Sequence, residues 1–354
     1  MAEKIVSPGV FTNEIDQSFI PAALGEIGAV IVGPTVKGPV LEPTVVSSYG
    51  EYVQTFGELI ESGSDKYQYL TSHTAREYLR QGGPLTVVRV GTPNSTRATA
   101  NIISGSSSTA LFTLEALGDG TQFNNTGSVG TDGLLNPQAN DAASNNHFGS
   151  GSFGGRADNV RYEISNRNLS KGTFTLLIRA GNDTNKRKVI LETHANLSLD
   201  PESTDYILKR IGNQTNEVAV EDGVAFLKPV GDYPNMSKYV RVSDLPDTTK
   251  TPNYLDENGN VTANYANSSS FFPLVGSGSD HGVFDGGVFS TEIAHPFAFY
   301  DNISATNSQG IAVATSAATV GTGGYATALS ILKNKDEFNM NLLFLPGIVD
   351  GLAN

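Results

Sequence analysis

Residues 64–90, SDKYQYLTSHTAREYLRQGGPLTVVRV, decide the fold class. Tyr67, Leu70, Ala75, Tyr78 and Leu79 recur at near-helical spacing, with His73, Arg76, Glu77 and Arg80 on the opposite side. The spacing predicts a helix, stopped by Gly82-Gly83. The β-branched run LTVVRV (85–90) that follows reads as a buried central strand. Upstream, IGAVIVGPTVKGPVLEPTVVSS (27–48) reads as a buried strand, a Gly-Pro turn and a second extended segment, because Pro34, Pro39 and Pro43 exclude helix. Strand, helix and strand in this order predict a mixed α/β layer.

Beyond residue 93 the character changes. ATANIISGSSSTALFTLEALGDG offers short alternating strands, and NNTG…GRADN (124–159) is polar, rich in Gly, Asn and Ser and without periodicity. A segment with so little to bury is expected as an exposed loop on the outer surface. FTLLIRA and KVILETH predict a hairpin around Gly181-Asn182-Asp183. DPESTDYILKRIGNQT (200–215) reads as a short helix with Asp200 as N-cap, Pro201 in the first turn and Gly212 as stop. Residues 216–300 read as extended or looped, and 320–348 as a helix feeding a buried strand.

The expected fold class is therefore α/β in the mixed α+β sense. It is multi-domain, with an α/β core module interrupted by β-rich insertions and preceded by an extended N-terminal arm. The divisions fall at 1–22 (arm), 23–92 (first part of the core module), 93–160 (inserted β-rich segment), 161–270 (β-rich domain with hairpin and short helix) and 271–354 (return to the core).

At 354 residues the chain can bury a substantial core. No apolar run approaches the roughly 18 residues that span a bilayer, so no membrane insertion is expected, and the first residues do not read as a secretory signal. The absence of cysteine excludes disulfides, thiolate nucleophiles and Cys-based metal sites. Lys and Arg number 23 against 36 Asp and Glu, a net charge of −13, which argues against direct nucleic-acid binding. Only Lys186-Arg187-Lys188 cluster.

Candidate chemistry is thin. Ser279, Asp280, His281 and Asp285 suggest a hydrolytic triad, but adjacent residues of an extended segment point to opposite sides. VGTGGY (320–325) lacks the spacing of a phosphate-binding loop, and DENGN (256–260) lacks the bidentate Glu of a calcium loop. His73, His147, His194, His281 and His295 are dispersed. No enzyme activity, cofactor or metal is expected.

The order of short blocks is more informative. SPGVFTNEID (7–16), VGPTVKGPV (32–40), SYGEYVQTFGE (48–58), YLRQGGPLTVVRV (78–90), ETHANLSLDPESTDYILKRIGNQT (192–215) and YATALSILKNKDEFNMNLLFLPGI (325–348) resemble the contractile tail sheath proteins of tailed bacteriophages. The resemblance is to the myovirus type and to related injection machines, and it spans the chain except the loop at 124–159. It implies a structural subunit of the virion tail sheath, assembled in the host cytoplasm as hexameric stacked rings. The implied partners are other copies of the chain, the inner tail tube protein, the baseplate and the tail terminator. Contraction would drive the tube through the host envelope and allow genome ejection. Family members usually continue past the P-G-[IV] block into a C-terminal domain, which is expected to be missing here.

Neighbouring subunits of such sheaths are laced by terminal strands. The resemblance thus marks Ile5, Val6, Val10, Phe11 and Ile15 as a lacing arm, broken by Pro8-Gly9, the alternative being that residues 3–19 form an edge strand of their own subunit. Pro21, Gly25 and Gly28 are expected as its hinge. The competing readings are a virion receptor-binding or decoration module, suited by the Gly/Asn/Ser loops, and a hydrolase using His281.

Overall fold

A computed structural model describes residues 27–62, 65–81, 83–91, 95–104, 110–124, 159–266, 269–275, 282–288, 303, 307–309, 311–312, 320–321, 324–334, 337–338 and 340–349. In chain order the first elements are β1 (Ile27–Gly33), β2 (Thr44–Val46), α1 (Tyr49–Phe56), β3 (Ile60–Ser62), β4 (Asp65–Tyr67), α2 (Leu70–Gln81) and β5 (Leu85–Arg89). Next come β6 (Arg97–Ile103), β7 (Ala110–Asp119), β8 (Val160–Asn168), β9 (Thr173–Ala180), β10 (Ile190–Ser198) and α3 (Ile207–Ile211). The last are β11 (Thr215–Glu221), β12 (Val224–Val230), β13 (Val240–Asp244), β14 (Asn307–Ser308), β15 (Ile311–Ala312), α4 (Gly324–Leu332) and β16 (Met340–Phe344).

The first module is built on a sheet of order β16-β1-β5-β2, with β16 and β5 parallel to β1 and β2 antiparallel to β5. All five residues of β5 are buried, as an interior strand covered on both faces requires. The two-residue period splits β1 between two cores. Ala29 and Ile31 face Tyr52, Phe56 and Ala75 of α1 and α2. Val30 and Val32 face Tyr325, Ala328 and Ile331 of α4. The expected strands at 27–33 and 85–90 and the closing helix are thus in place; the closing strand forms as well, but it is half-exposed rather than buried, since among the described residues it has only β1 beside it.

Helix boundaries differ from expectation for local reasons. α2 begins at Leu70 rather than 64, because Asp65–Tyr67 pair with Ile60–Ser62 as a hairpin. α1 was not anticipated. Ser48 Oγ caps it by accepting from Glu51 N at 3.2 Å, while the Glu51 carboxylate reaches back to Ser47 N at 2.8 Å. That is a capping box shifted by one residue. The helix expected over 200–215 contracts to Ile207–Ile211. Asp200 makes an Asx turn, accepting from Glu202 N at 3.1 Å, and the N-cap is Tyr206. Gly212 ends the helix as expected, with φ +100°.

The second module holds two three-stranded antiparallel sheets, β13-β7-β6 and β10-β9-β8. The predicted hairpin is β9–β10. One hydrophobic cluster takes Phe112 and Leu114 from the first sheet, Ile164, Phe174 and Ile178 from the second, and Val242 from β13. A single core therefore crosses the division expected at residue 160, because β13 returns to pair with β7. Residues 284–288 also lie with this module. Thr99 and Asp285 exchange backbone hydrogen bonds at 2.7 and 2.9 Å, and the Asn124 amide pairs with both N and O of Gly287. The core module resumes after this point rather than at 271, since Ile311 and α4 supply its second cluster. Residues 125–158 of the expected loop lie outside the described residues.

Candidate functional site

Two features stand out among the described residues: the edge of β16 away from β1 and the seam between modules.

Among the described residues β16 is an edge strand, in register with β1 through Ala29–Leu342, Val30–Leu343 and Ile31–Phe344. Leu342 and Leu343 point to opposite faces and are 45% and 39% exposed. Phe344 meets the edge of Tyr78 from α2 at 5.8 Å. Beside this contact a cavity of about 390 Å³ is lined by His73, Thr74, Glu77, Tyr78 and Phe344. The turn after β16 is clamped from below. Ser308 Oγ donates to Gly347 O at 2.6 Å, and Gln309 Nε2 donates to Pro346 O at 2.7 Å. Gln309 Oε1 also accepts from Leu70 N at 2.7 Å, tying the start of α2 to the Pro346-Gly347 block. Gly347 has φ +80°, and a Cβ there would stand 2.5 Å from Ser308 Oγ. Glycine is thus required twice over.

The seam is organised by Arg89, the last residue of β5, which is 1% exposed. Its Nη1 donates to Gly38 O and to Asp119 O, each at 2.7 Å. Burial lowers its pKa to about 10, with the Asp119 charge acting in the opposite direction, so it remains a cation at neutral pH. Asp119 adds a 2.8 Å bond from Val40 N to its Oδ2. Arg97 lies among Glu42, Glu115 and Asp119 at 3.5–3.8 Å, and Arg241 binds Glu115 at 2.8 Å. These charges border a polar cavity of about 680 Å³. Gln54 Nε2 bonds Tyr239 OH across the same seam at 2.8 Å. Such bonds hold two bodies together, and among the described residues none in the seam pairs a nucleophile with a base.

Of the marked arm and hinge residues, Ile5, Val6, Val10, Phe11, Ile15, Pro21 and Gly25 lie outside the described residues. Gly28 is the second residue of β1, within the sheet, rather than at a hinge. Ser279, Asp280 and His281 lie outside the described residues, while Asp285 pairs with Thr99 through its main chain and its carboxylate accepts from Gly286 N at 2.8 Å. DENGN is a turn, with Asp256 Oδ1 accepting from Asn258 N and Asn260 N.

One grouping had no sequence signal. Glu192 Oε2 takes a bond from Ser237 Oγ at 2.6 Å and lies 3.1 Å from His194 Nε2. The acid stands between serine and histidine, so His194 cannot take the serine proton. Ser237 Oγ also caps Tyr239 N and Val240 N. Its role is structural. Among the described residues no group of three or more His, Asp and Glu is placed to hold a metal ion, and no helix is long and apolar enough to cross a membrane.

No family model matches the sequence, and no curated protein matches it. Among solved structures, the chain is similar to a sheath tail protein of Listeria innocua, with a TM-score of 0.27 and 10% identity over 62% of this chain and 34% of that one. It is also similar to a sheath tail protein of Desulfitobacterium hafniense, with a TM-score of 0.25 and 12% identity over 65% of this chain and 38% of that one. The chain thus spans 34% and 38% of the lengths of these proteins. Likeness this distant assigns no function.

Proposed function

We propose that the chain is a structural subunit of a contractile phage tail sheath, without enzymatic activity. In this reading it polymerises as stacked hexameric rings around an inner tail tube in the host cytoplasm and takes its place in the virion. Contraction, triggered from the baseplate, drives the tube through the host envelope. The ordered sequence blocks suggest the reading, and the edge of β16 is the structural observation that supports it best. Parallel sheets are ordinarily covered on both faces and at their edges. Among the described residues β16 pairs with β1 alone, so its other side presents backbone groups, with exposed leucines on either face. A strand added from another copy satisfies those groups and covers the leucines. The apolar arm at residues 3–19, ahead of β1, has the composition of such a strand. With a joint before Ile27, the arm keeps subunits connected while each rotates.

Electron microscopy of the complete gene product tests this. Cylinders or stacked rings are expected. Discrete trimers would replace the reading with a receptor-binding module, and dispersed monomers would overturn it.

A further inference from the structure

Two hairpins of this chain present surfaces that complement each other. The β11–β12 hairpin lays Val218, Ala225 and Leu227 against α4, where Ala225 N donates to Ser330 Oγ at 2.9 Å. Its other face carries Val224, Phe226 and Val230, all exposed, with Val224 at 52%. A hairpin with one face packed normally turns polar side chains outward, whereas here Val224 and Phe226 stand side by side on that face, with Val230 beyond Lys228, a patch that calls for a cover. Acids surround it: Glu221 lies opposite Val224, Glu217 opposite Lys228, and Asp222 occupies the tip. Glu217, Glu221 and Asp222 form no ion pair with another described residue.

The second surface is the turn joining β9 to β10. It holds the one run of three consecutive basic residues, Lys186-Arg187-Lys188, followed by exposed Val189 and by Ile190 at 50%. Lys188 is tied to Glu163 at 2.6 Å, while Lys186 and Arg187 point outward without an ion pair among the described residues. The turn is rigid. Arg187 N donates to Thr184 O and Oγ1 at 3.1 and 3.0 Å, and Asp183 holds Arg179 with two bonds of 2.7 and 2.8 Å. Both surfaces are pre-organised, so little ordering entropy opposes docking.

We propose that these surfaces bind each other between copies: the acidic, apolar β11–β12 hairpin of one subunit docks on the basic, apolar β9–β10 turn of the next. Charge complementarity identifies the occupant. Copies with a net charge of −13 repel on average, so a contact forms most readily where this basic run meets an acidic patch, and the same chain supplies both. Within one subunit the hairpins belong to different hydrophobic clusters. A contact of two unlike patches is heterologous and propagates head to tail into a ring or helix. The apolar centre supplies affinity, and the charged rim supplies register and association rate. This contact rests on the sheath reading and adds to it a subunit interface separate from the strand-donating arm.

Sedimentation velocity on the full chain over a concentration series tests it, using Lys186→Glu/Arg187→Glu, Glu221→Lys/Asp222→Lys and the four substitutions combined. Wild type is expected to associate, and less so as salt screens the rim. Each charge-reversed pair should weaken association by roughly 100-fold, since like charges then face each other. The combined variant should recover it, which also shows that the chains fold. A monomeric wild type, a reversed pair that associates like wild type, or a combined variant no better than its parents would overturn the contact. Cylinders formed by the Lys186→Glu/Arg187→Glu gene product would refute this interface and leave the sheath reading standing, whereas absence of cylinders from wild type would refute that reading itself.

Discussion

Arg89 Nη1 donates to the main-chain oxygen of Asp119 at 2.7 Å, joining the last residue of β5 to the last residue of β7 through a fully buried guanidinium. The same nitrogen holds Gly38 O, and Asp119 N returns a 3.0 Å bond to that oxygen. Three chain segments from two modules thus converge on one cation.

Arg89→Ala strips both carbonyls of this partner and leaves a cavity at the seam. The cost should be about 3 kcal/mol or more. Urea unfolding followed by circular dichroism should lose its single cooperative step, with the two modules melting apart. A single transition at the wild-type midpoint would show that Arg89 does not couple them.

Asp183 neutralises Arg179 through paired bonds and lies 3.5 Å from Arg161, which is also buried. Burial and the neighbouring Arg179 charge push the Arg161 pKa down. Asp183→Ala leaves two buried guanidinium groups short of their counter-charge, and the loss should reach about 3–5 kcal/mol. Thermal melting measures it directly.

Burial raises the Glu192 pKa, but bonds from His194, Ser237 and Lys238 N outweigh it and hold the net value below the usual 4.5. A carboxylate with a depressed folded pKa contributes stability that is present above its unfolded value and is lost as pH falls through the folded one. Glu192→Gln should therefore flatten the decline in melting temperature below about pH 4.5 while lowering stability at neutral pH. An unchanged acid limb would show that other carboxylates carry it.

Gly347→Ala meets two obstacles, a φ of +80° and the Ser308 hydroxyl. We expect a loss of about 1–3 kcal/mol and faster hydrogen exchange in β16, whose following turn is held by Ser308 and Gln309. Protection of β16 equal to wild type would mean that the turn does not anchor the edge strand.

Deleting residues 1–22 from the complete gene product should leave a folded protein that no longer polymerises, if the arm laces subunits as proposed. Circular dichroism and electron microscopy together decide this, and normal sheath cylinders would refute the lacing role.

Much of the fold was legible because local rules and tertiary packing agree there. The uninterrupted apolar run Ala29–Val32 and the β-branched run Thr86–Val88 announced a buried sheet. The α1 signal is equally local, since Ser48 and Glu51 stand three apart as in a capping box, but Gly50, Tyr49 and Tyr52 around it are weak helix formers and mask it. Asp200-Pro201 gave a false helix start because Asp, Ser and Thr bond their own backbone as readily in turns.

The sequence by itself determined the fold class, the interior strands, the acidity and the absence of cysteine chemistry, since periodicity and composition act over neighbouring residues. Only the tertiary structure decided that β16 lies beside β1, that β13 joins β7 across the division at 160, and that Arg89 pins the modules together. Pairing between distant segments depends on shape and on the satisfaction of buried polar groups. A basic residue closing a strand reads as solvent-exposed until the carbonyls that surround it are in place.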